Sequence, residues 1–279
     1  LPEFAGIELV KQSRGLGHCV DIPMVVITVV DDRQVRYNAL EAGATDFLIK
    51  PLDEHETRAR CANLLELRRH KIVLSDQARV LQYQVDRSVS EIHERELETL
   101  SKLAKAGEFR DKTTGNHLVR MARYSGLIAQ NLGLGGDMMH VIEVAAPMHD
   151  IGKIGIPDSV LIKEGPLSPA ELEIMRTHPR IGYDILKGSP SKYLSMGSII
   201  ALGHHEKYDG TGYPNGLHGE DIPIVARVVA VADVFDALVS ERPYKHAWPI
   251  SEGIDFLKSQ RNKHFDPKCV DAFLADRTR

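Results

Sequence analysis

Two adjacent imidazoles, His204 and His205, stand just upstream of a loop that carries Gly210, Gly212, Tyr213 and Pro214. A pair of metal-capable side chains is thus followed at once by a sharp, backbone-exposing turn. More nitrogen and oxygen donors lie upstream in His117, in the adjacent pair His149 and Asp150 and in His178, and downstream in Asp233. Together they are enough for more than one metal ion, and all of them are imidazoles or carboxylates. A lone His-Asp pair is weak evidence, because a capped or buried pair is its commoner explanation; the constellation changes that weighting. Neighbours in sequence cannot share one helix face, so His149 and Asp150 need a helix end or a distortion to turn toward one ion. Asp233 stands within the apolar run Val228 to Phe235. An unpaired carboxylate is expensive to bury there, and a metal ion is one of the few partners that would neutralise it. Lys153 follows His149 by one helical turn. This is the chemistry of a metal-dependent hydrolase.

The elements that must position these donors read as helices. From Ala104 onward glycine and proline separate helical patterns over 116–132, 138–151, 169–177, 181–186, 194–204, 225–239, 250–260 and 267–276. An all-α domain follows. Upstream, between Asp53 and Phe109, there is no proline and no glycine before Gly107, while Leu64, Leu67, Leu74, Leu81, Val85, Ile92, Leu100 and Leu103 recur at spacings of three, four or seven. This predicts one long amphipathic helix or a pair of helices. Its length favours a coiled-coil connector joining two copies of the chain in parallel; an ordinary helix packed on either domain is the alternative. Residues 1–70 alternate differently, with helical patterns at 6–12 and 33–42 and apolar, strand-like runs at 24–30 and 47–49. Runs without polar alternation suit parallel strands covered on both faces, and βα alternation predicts an α/β sheet.

Composition narrows the class. The chain has 279 residues, 43% hydrophobic and 27% charged, with a net charge of −4. That is room for two modest domains and describes a globular protein with no footprint for a nucleic-acid polymer. An anionic substrate must be drawn by local cations. Cys19, Cys61 and Cys269 are odd in number and far apart, which suits a reducing cytoplasm better than a disulfide framework. The apolar run from Met24 to Val30 is too short to span a bilayer, and no signal peptide opens the chain. Its start at Leu1-Pro2, without methionine, is expected of a piece of a longer protein.

Two stretches resemble known families. Residues 1–9, then Ile22 to Thr28 followed by Asp31-Asp32, then Gly43 to Pro51, resemble the second half of a flavodoxin-like response-regulator receiver domain. The resemblance implies that Thr28 is a switch hydroxyl, Phe47 a switch aromatic and Lys50 a phosphate-contacting lysine, and that a cognate histidine kinase is a partner of the full receiver. The phospho-accepting aspartate would precede Leu1, so phosphorylation of this chain is not expected.

The second resemblance covers residues 104–279 and rests on His117, His149-Asp150, His178, His204-His205, the Gly210 to Pro214 loop, Asp233 and the closing His264-Phe265-Asp266-Pro267. These motifs resemble the HD-GYP family, a branch of the HD-domain phosphohydrolases whose members hydrolyse the bacterial second messenger cyclic di-GMP. The resemblance implies that His117, His149, Asp150 and Asp233 hold one metal ion, and that Asp150, His178, His204 and His205 hold a second, with Asp150 bridging. Iron or manganese suits such a donor set, with zinc and nickel as alternatives. Asp150 and Lys153 would be catalytic, the lysine by stabilising charge on the phosphate. Lys153, Gly212, Tyr213, Arg242 and Lys245 would contact substrate. In the family pattern Asp-x-Glu-Thr-Gly-x-His the glutamate is replaced by Thr113. A hydroxyl is a poor ligand for a hard cation, so no third ion is expected.

The expectation is therefore a mainly α protein: a partial receiver over 1–70, a connector over 71–103 and an HD-GYP domain over 104–279. It would open cyclic di-GMP to pGpG, with further hydrolysis to GMP as an extension of the same chemistry. The competing expectations are a weakly active module that binds the nucleotide and regulates a protein partner such as a diguanylate cyclase, and a hydrolase for a hybrid or linear nucleotide.

Overall fold

The computed structural model describes residues 3–29, 33–110, 116–241 and 246–275. Asp31, Asp32, Thr113, Arg242 and Lys245, all singled out above, lie outside them. The chain divides into two compact units, Leu1–Glu91 and Ile92–Arg279.

The first unit opens with helix α1 (Glu3–Arg14), strand β1 (Val25–Thr28), helix α2 (Arg33–Glu41) and strand β2 (Asp46–Ile49). The strands pair in parallel, Val25 opposite Asp46 and Thr28 opposite Ile49, as β-branched apolar runs joined through a helix should. Val10, Ala39, Ala42 and Ala44 form its small core. Arg14 ties the unit together, its guanidinium donating to the carbonyls of Cys19, Ile22 and Gly43. Thr28, Phe47 and Lys50 line one cavity here.

One uninterrupted helix, α3 (Glu54–Glu108), follows. The absence of proline, and of glycine before Gly107, leaves nothing to break it, which decides between one helix and a pair. Within the first unit most of its leucines face solvent: Leu67 and Leu74 are each 65% exposed and Leu81 60%, while Leu64 is half-buried. From Leu97 onward the same periodicity is buried in the core of the second unit, with Leu100 and Ala104 almost inaccessible. The second unit therefore begins before residue 104, because the helix contributes its last turns to that core.

The rest of the second unit is helical, as expected: α4 (Asn116–Asn131), α5 (Gly136–Ala145), α6 (Asp158–Leu161), α7 (Pro169–Met175), α8 (His178–Leu186), α9 (Lys192–Gly203), α10 (Ile224–Val239), α11 (Ile250–Ser259) and α12 (Pro267–Leu274). Helix α10 is the axis. Val225, Val228, Val229, Val231, Ala232 and Phe235 are buried on it, and a helix apolar on most sides can only be surrounded by others. The pattern predicted through residue 151 stops as an α-helix at Ala145. Pro147 has no N–H to continue the ladder, and two 3₁₀ turns, Ala146–Met148 and Ile151–Gly155, follow.

Candidate metal centre

That break supplies the distortion the adjacent donors need. His149 closes the first 3₁₀ turn, and Asp150 opens the second with φ −100° and ψ 8°. Their side chains, 0% and 12% exposed, turn into one space. Gly152 fixes where that space lies. A Cβ there would sit 2.0 Å from the His178 carbonyl oxygen and 2.4 Å from the Gly182 nitrogen, so only glycine lets this loop press against the start of α8. Gly203 does the same for α9, where an added Cβ would stand 2.8 Å from Ala226 Cβ of α10. His204 and His205 follow immediately. His117 comes from the first turn of α4 and Asp233 from the middle of α10.

Four imidazoles are oriented alike. His117 Nδ1 lies 2.6 Å from Asp236 Oδ2, His149 Nδ1 3.1 Å from the Ala146 carbonyl, His178 Nδ1 2.8 Å from the Met175 carbonyl and His204 Nδ1 3.0 Å from the Ala201 carbonyl. Each of these acceptors requires a proton on Nδ1, so whatever the charge of the ring it is Nε2 that faces the interior. There the Nε2 atoms meet carboxylates. Asp150 Oδ2 is 3.2 Å from His149 Nε2, whereas Asp150 Oδ1 is 3.2 Å from His178 Nε2 and 3.6 Å from His204 Nε2. Asp233 Oδ1 is 3.6 Å from His117 Nε2 and 3.8 Å from His149 Nε2. His149 Nε2 and Asp150 Oδ1 are buried without a hydrogen-bond partner. Acceptors that converge on acceptors call for a cation, and imidazole nitrogens with carboxylate oxygens fit a divalent transition metal.

The donors fall into two groups, Asp150 with His178, His204 and His205, and His117 with His149 and Glu108, the members of each lying within 4.8 Å of one another. Asp233 adjoins the second of these. Asp150 directs one oxygen to each. All seven ligand residues expected from the sequence are thus brought together, and three neighbours were missed. Glu108 ends α3. Asp236, fully buried, orients His117 and is itself held by Arg120 at 2.5 and 3.0 Å. The signal for the latter two was present: Asp236 follows Asp233, and Arg120 follows His117, by one helical turn. Asp233 itself is 19% exposed, so the deeply buried carboxylate of α10 is Asp236 instead.

Burial disfavours the charged form of His149, but Asp150, Asp233 and Glu108 outweigh it and raise the imidazole to about 9. Burial lowers His204, and lowers His205 further with help from the imidazoles beside it. Asp150 is held well below the usual carboxylate range, Lys153 and His149 overcoming the cost of its burial. Lys153 Nζ donates to Asp150 Oδ2 at 2.8 Å, so the lysine stands at the meeting point of the two groups.

The loop after His205 is clamped by Glu206, whose buried carboxylate accepts from the backbone N–H groups of Asn215 at 2.7 Å and Leu217 at 3.0 Å. At Gly212 a Cβ would lie 2.2 Å from Lys207 N, so the loop's own packing already requires glycine there. Tyr213 stacks on His205 with ring centroids 4.8 Å apart, and the Arg176 guanidinium lies 5.4 Å from the Tyr213 ring centre. Burial lifts the Tyr213 hydroxyl to about 12, which keeps it a neutral donor.

Residues 87–269 match the HD domain family. The chain is 50% identical over 277 residues to the cyclic di-GMP phosphodiesterase response regulator RpfG of Xanthomonas campestris pv. campestris, across 99% of this chain and 73% of that protein. It is 40% identical over 282 residues to a cyclic di-GMP phosphodiesterase of Thermotoga maritima, across 98% of this chain and 76% of that protein. Over 184 residues it is 42% identical to the 3'3'-cGAMP-specific phosphodiesterase 2 of Vibrio cholerae, across 66% of this chain and 35% of that protein.

Proposed function

The chain belongs to the HD-domain family, in its HD-GYP branch, and on that footing we propose that it is a metal-dependent phosphodiesterase that opens cyclic di-GMP to pGpG. The observation that carries this reading is the convergence of two donor groups on one carboxylate, Asp150, with the imidazole tautomers already set. His117, His149, Asp233 and Asp150 hold one ion, and Asp150, His178, His204 and His205 the other. Two divalent ions, iron or manganese by donor type, would supply an activated water and neutralise the phosphodiester oxygens.

The protein's own groups do the remainder. Asp150 holds the two donor groups in a fixed relation through its two oxygens. Lys153, anchored on Asp150, brings a positive charge to the phosphate as negative charge develops on it. Arg176 and the neutral Tyr213 hydroxyl donate to substrate oxygens, while Gly212 allows the loop backbone to approach the substrate. Arg242 and Lys245 also grip the dinucleotide, the arginine bidentately. With Thr113 in place of a carboxylate, no third ion is bound by that position.

The first unit acts as part of a receiver for a histidine kinase, and α3 joins two copies through the exposed Leu67, Leu74 and Leu81 face. The three free cysteines support a cytoplasmic setting, and among the described residues no helix is long and apolar enough to cross a membrane. A second substrate is favoured by one observation: the likeness to a 3'3'-cGAMP-specific phosphodiesterase. The test is anaerobic turnover of cyclic di-GMP by the protein loaded with iron or manganese, with 3'3'-cGAMP in competition. Release of pGpG is expected. Tight binding without any product would overturn the enzyme reading in favour of a binding module, and preference for 3'3'-cGAMP would overturn the substrate assignment.

A further inference from the structure

The last turn of α3 ends on a carboxylate that nothing in the family reading uses. Leu100, Ala104, Gly107 and Glu108 are the buried residues of that helix, a stripe at helical spacing that is apolar until its final member. Gly107 makes the approach possible. A Cβ there would lie 2.7 Å from Ile151 Cδ1 and 3.1 Å from Ile151 Cα, so the helix end is pressed against the residue that follows Asp150. This contact delivers Glu108 into the metal centre, where it is 7% exposed.

The placement is unfavourable for an acid on its own. Oε2 is buried without a hydrogen-bond partner, a charge enclosed in this way is costly to desolvate, and the C-terminal end of a helix repels negative charge. A nearby cation removes all three costs. The carboxylate is aimed where one belongs: Oε1 stands 3.8 Å from His117 Nε2, and a Glu108 oxygen lies within 4.8 Å of both the His117 and His149 ring nitrogens. Donors about 2.0–2.2 Å from one ion are themselves roughly 3–4.4 Å apart, and the separations of Asp233 from the same two imidazoles, 3.6 and 3.8 Å, match.

We propose that Glu108 is a further protein ligand of the ion held by His117, His149, Asp233 and Asp150. This inference rests on the two-ion reading above. Its consequence is selectivity. Five protein donors, three of them carboxylates, exceed the tetrahedral set that zinc prefers and suit a six-coordinate ion such as manganese(II) or iron(II).

The experiment uses the full chain, stripped of metal by chelation, with Glu108→Gln, which keeps the shape and removes the charge, and Glu108→Asp, which keeps the charge and withdraws it by one methylene. Equilibrium dialysis against manganese and against zinc, with metal analysis, gives stoichiometry and affinity; melting temperatures are taken with and without manganese. In Glu108→Gln one class of manganese site is expected to weaken at least about 10-fold, the other to stay unchanged, and zinc to lose less than manganese. Glu108→Asp should fall between the variant and the parent. The metal-free protein should melt no lower than the parent, while the rise produced by manganese shrinks. Unchanged affinity in both classes, or a lower metal-free melting temperature with the full manganese rise retained, overturns the assignment and leaves the two-ion reading standing. A parent protein that binds neither metal overturns both.

Discussion

The two donor groups that share Asp150 are built by opposite means. The group of His117, His149, Asp233 and Glu108 draws on α3, α4, the 3₁₀ turns and α10, so four separate segments must pack before it exists. The group of His178, His204 and His205 stands on two helix ends, the start of α8 and the finish of α9. Their support differs too. In the first, His117 is oriented by a buried carboxylate, Asp236, itself gripped by Arg120; in the second, His178 and His204 are oriented by backbone carbonyls of their own turns. The electrostatic outcome follows from this. The shared Asp150, with Asp233 and Glu108 added on this side, raises His149 to about 9, whereas burial in the imidazole-rich group lowers His204 and His205. A ligand set drawn from distant elements gathers several carboxylates and one orienting side chain, and one made at helix ends is oriented by the backbone.

The largest break in that comparison is to remove what the groups share. Asp150→Ala is expected to abolish binding at both and to reduce phosphodiester hydrolysis by on the order of 10³-fold or more, read by metal analysis alongside product formation. Retention of either ion at parental affinity would show that Asp150 serves only one group. Next come paired variants, one from each side. His117→Ala should remove the ion of the carboxylate-rich group and His178→Ala that of the imidazole-rich group, each weakening its own class by about 100-fold or more while leaving the other occupied. Loss of both ions from either variant would mean that the groups fill only together.

A smaller effect tests the difference in support. Asp236→Asn keeps the shape but weakens the acceptor for His117 and leaves Arg120 without its carboxylate. We expect about 10–100-fold weaker binding in the carboxylate-rich class alone and about 2 kcal/mol lower stability, discounted because Arg120 is 36% exposed. Denaturant titration and dialysis read the two effects separately. No equivalent variant exists on the other side, where the acceptors are backbone.

The effect that bears least on the metal sites guards against blaming the imidazole-rich group for all acid sensitivity. His264, stacked on Phe265 outside both groups, is lowered by burial from 6.5 to about 4. Its folded form therefore refuses a proton that the unfolded chain accepts. Stability should be complete above pH 6.5, decline as the pH falls toward about 4 and then level off, by no more than about 3 kcal/mol. Chelated parent protein compared with His264→Asn between pH 7 and 5 isolates that share; equal slopes would remove it.

Much of this molecule is legible in its sequence, and the reason is locality. Glycine and proline mark where the helices of the second unit begin and end, the proline-free stretch from Asp53 becomes the single helix α3, and seven candidate ligands can be named from side-chain type and motif order. Each of these depends on chemistry within a few residues. What the tertiary structure alone decided lies between elements. A glutamate ending a long charged helix looks solvated until Gly107 lets Ile151 approach and seals it against His117; Asp236 looks like one more acid on α10 until the packing of α4 brings Arg120 and His117 to it. Spacing along a chain specifies which face a side chain shares, but only packing specifies what that face meets.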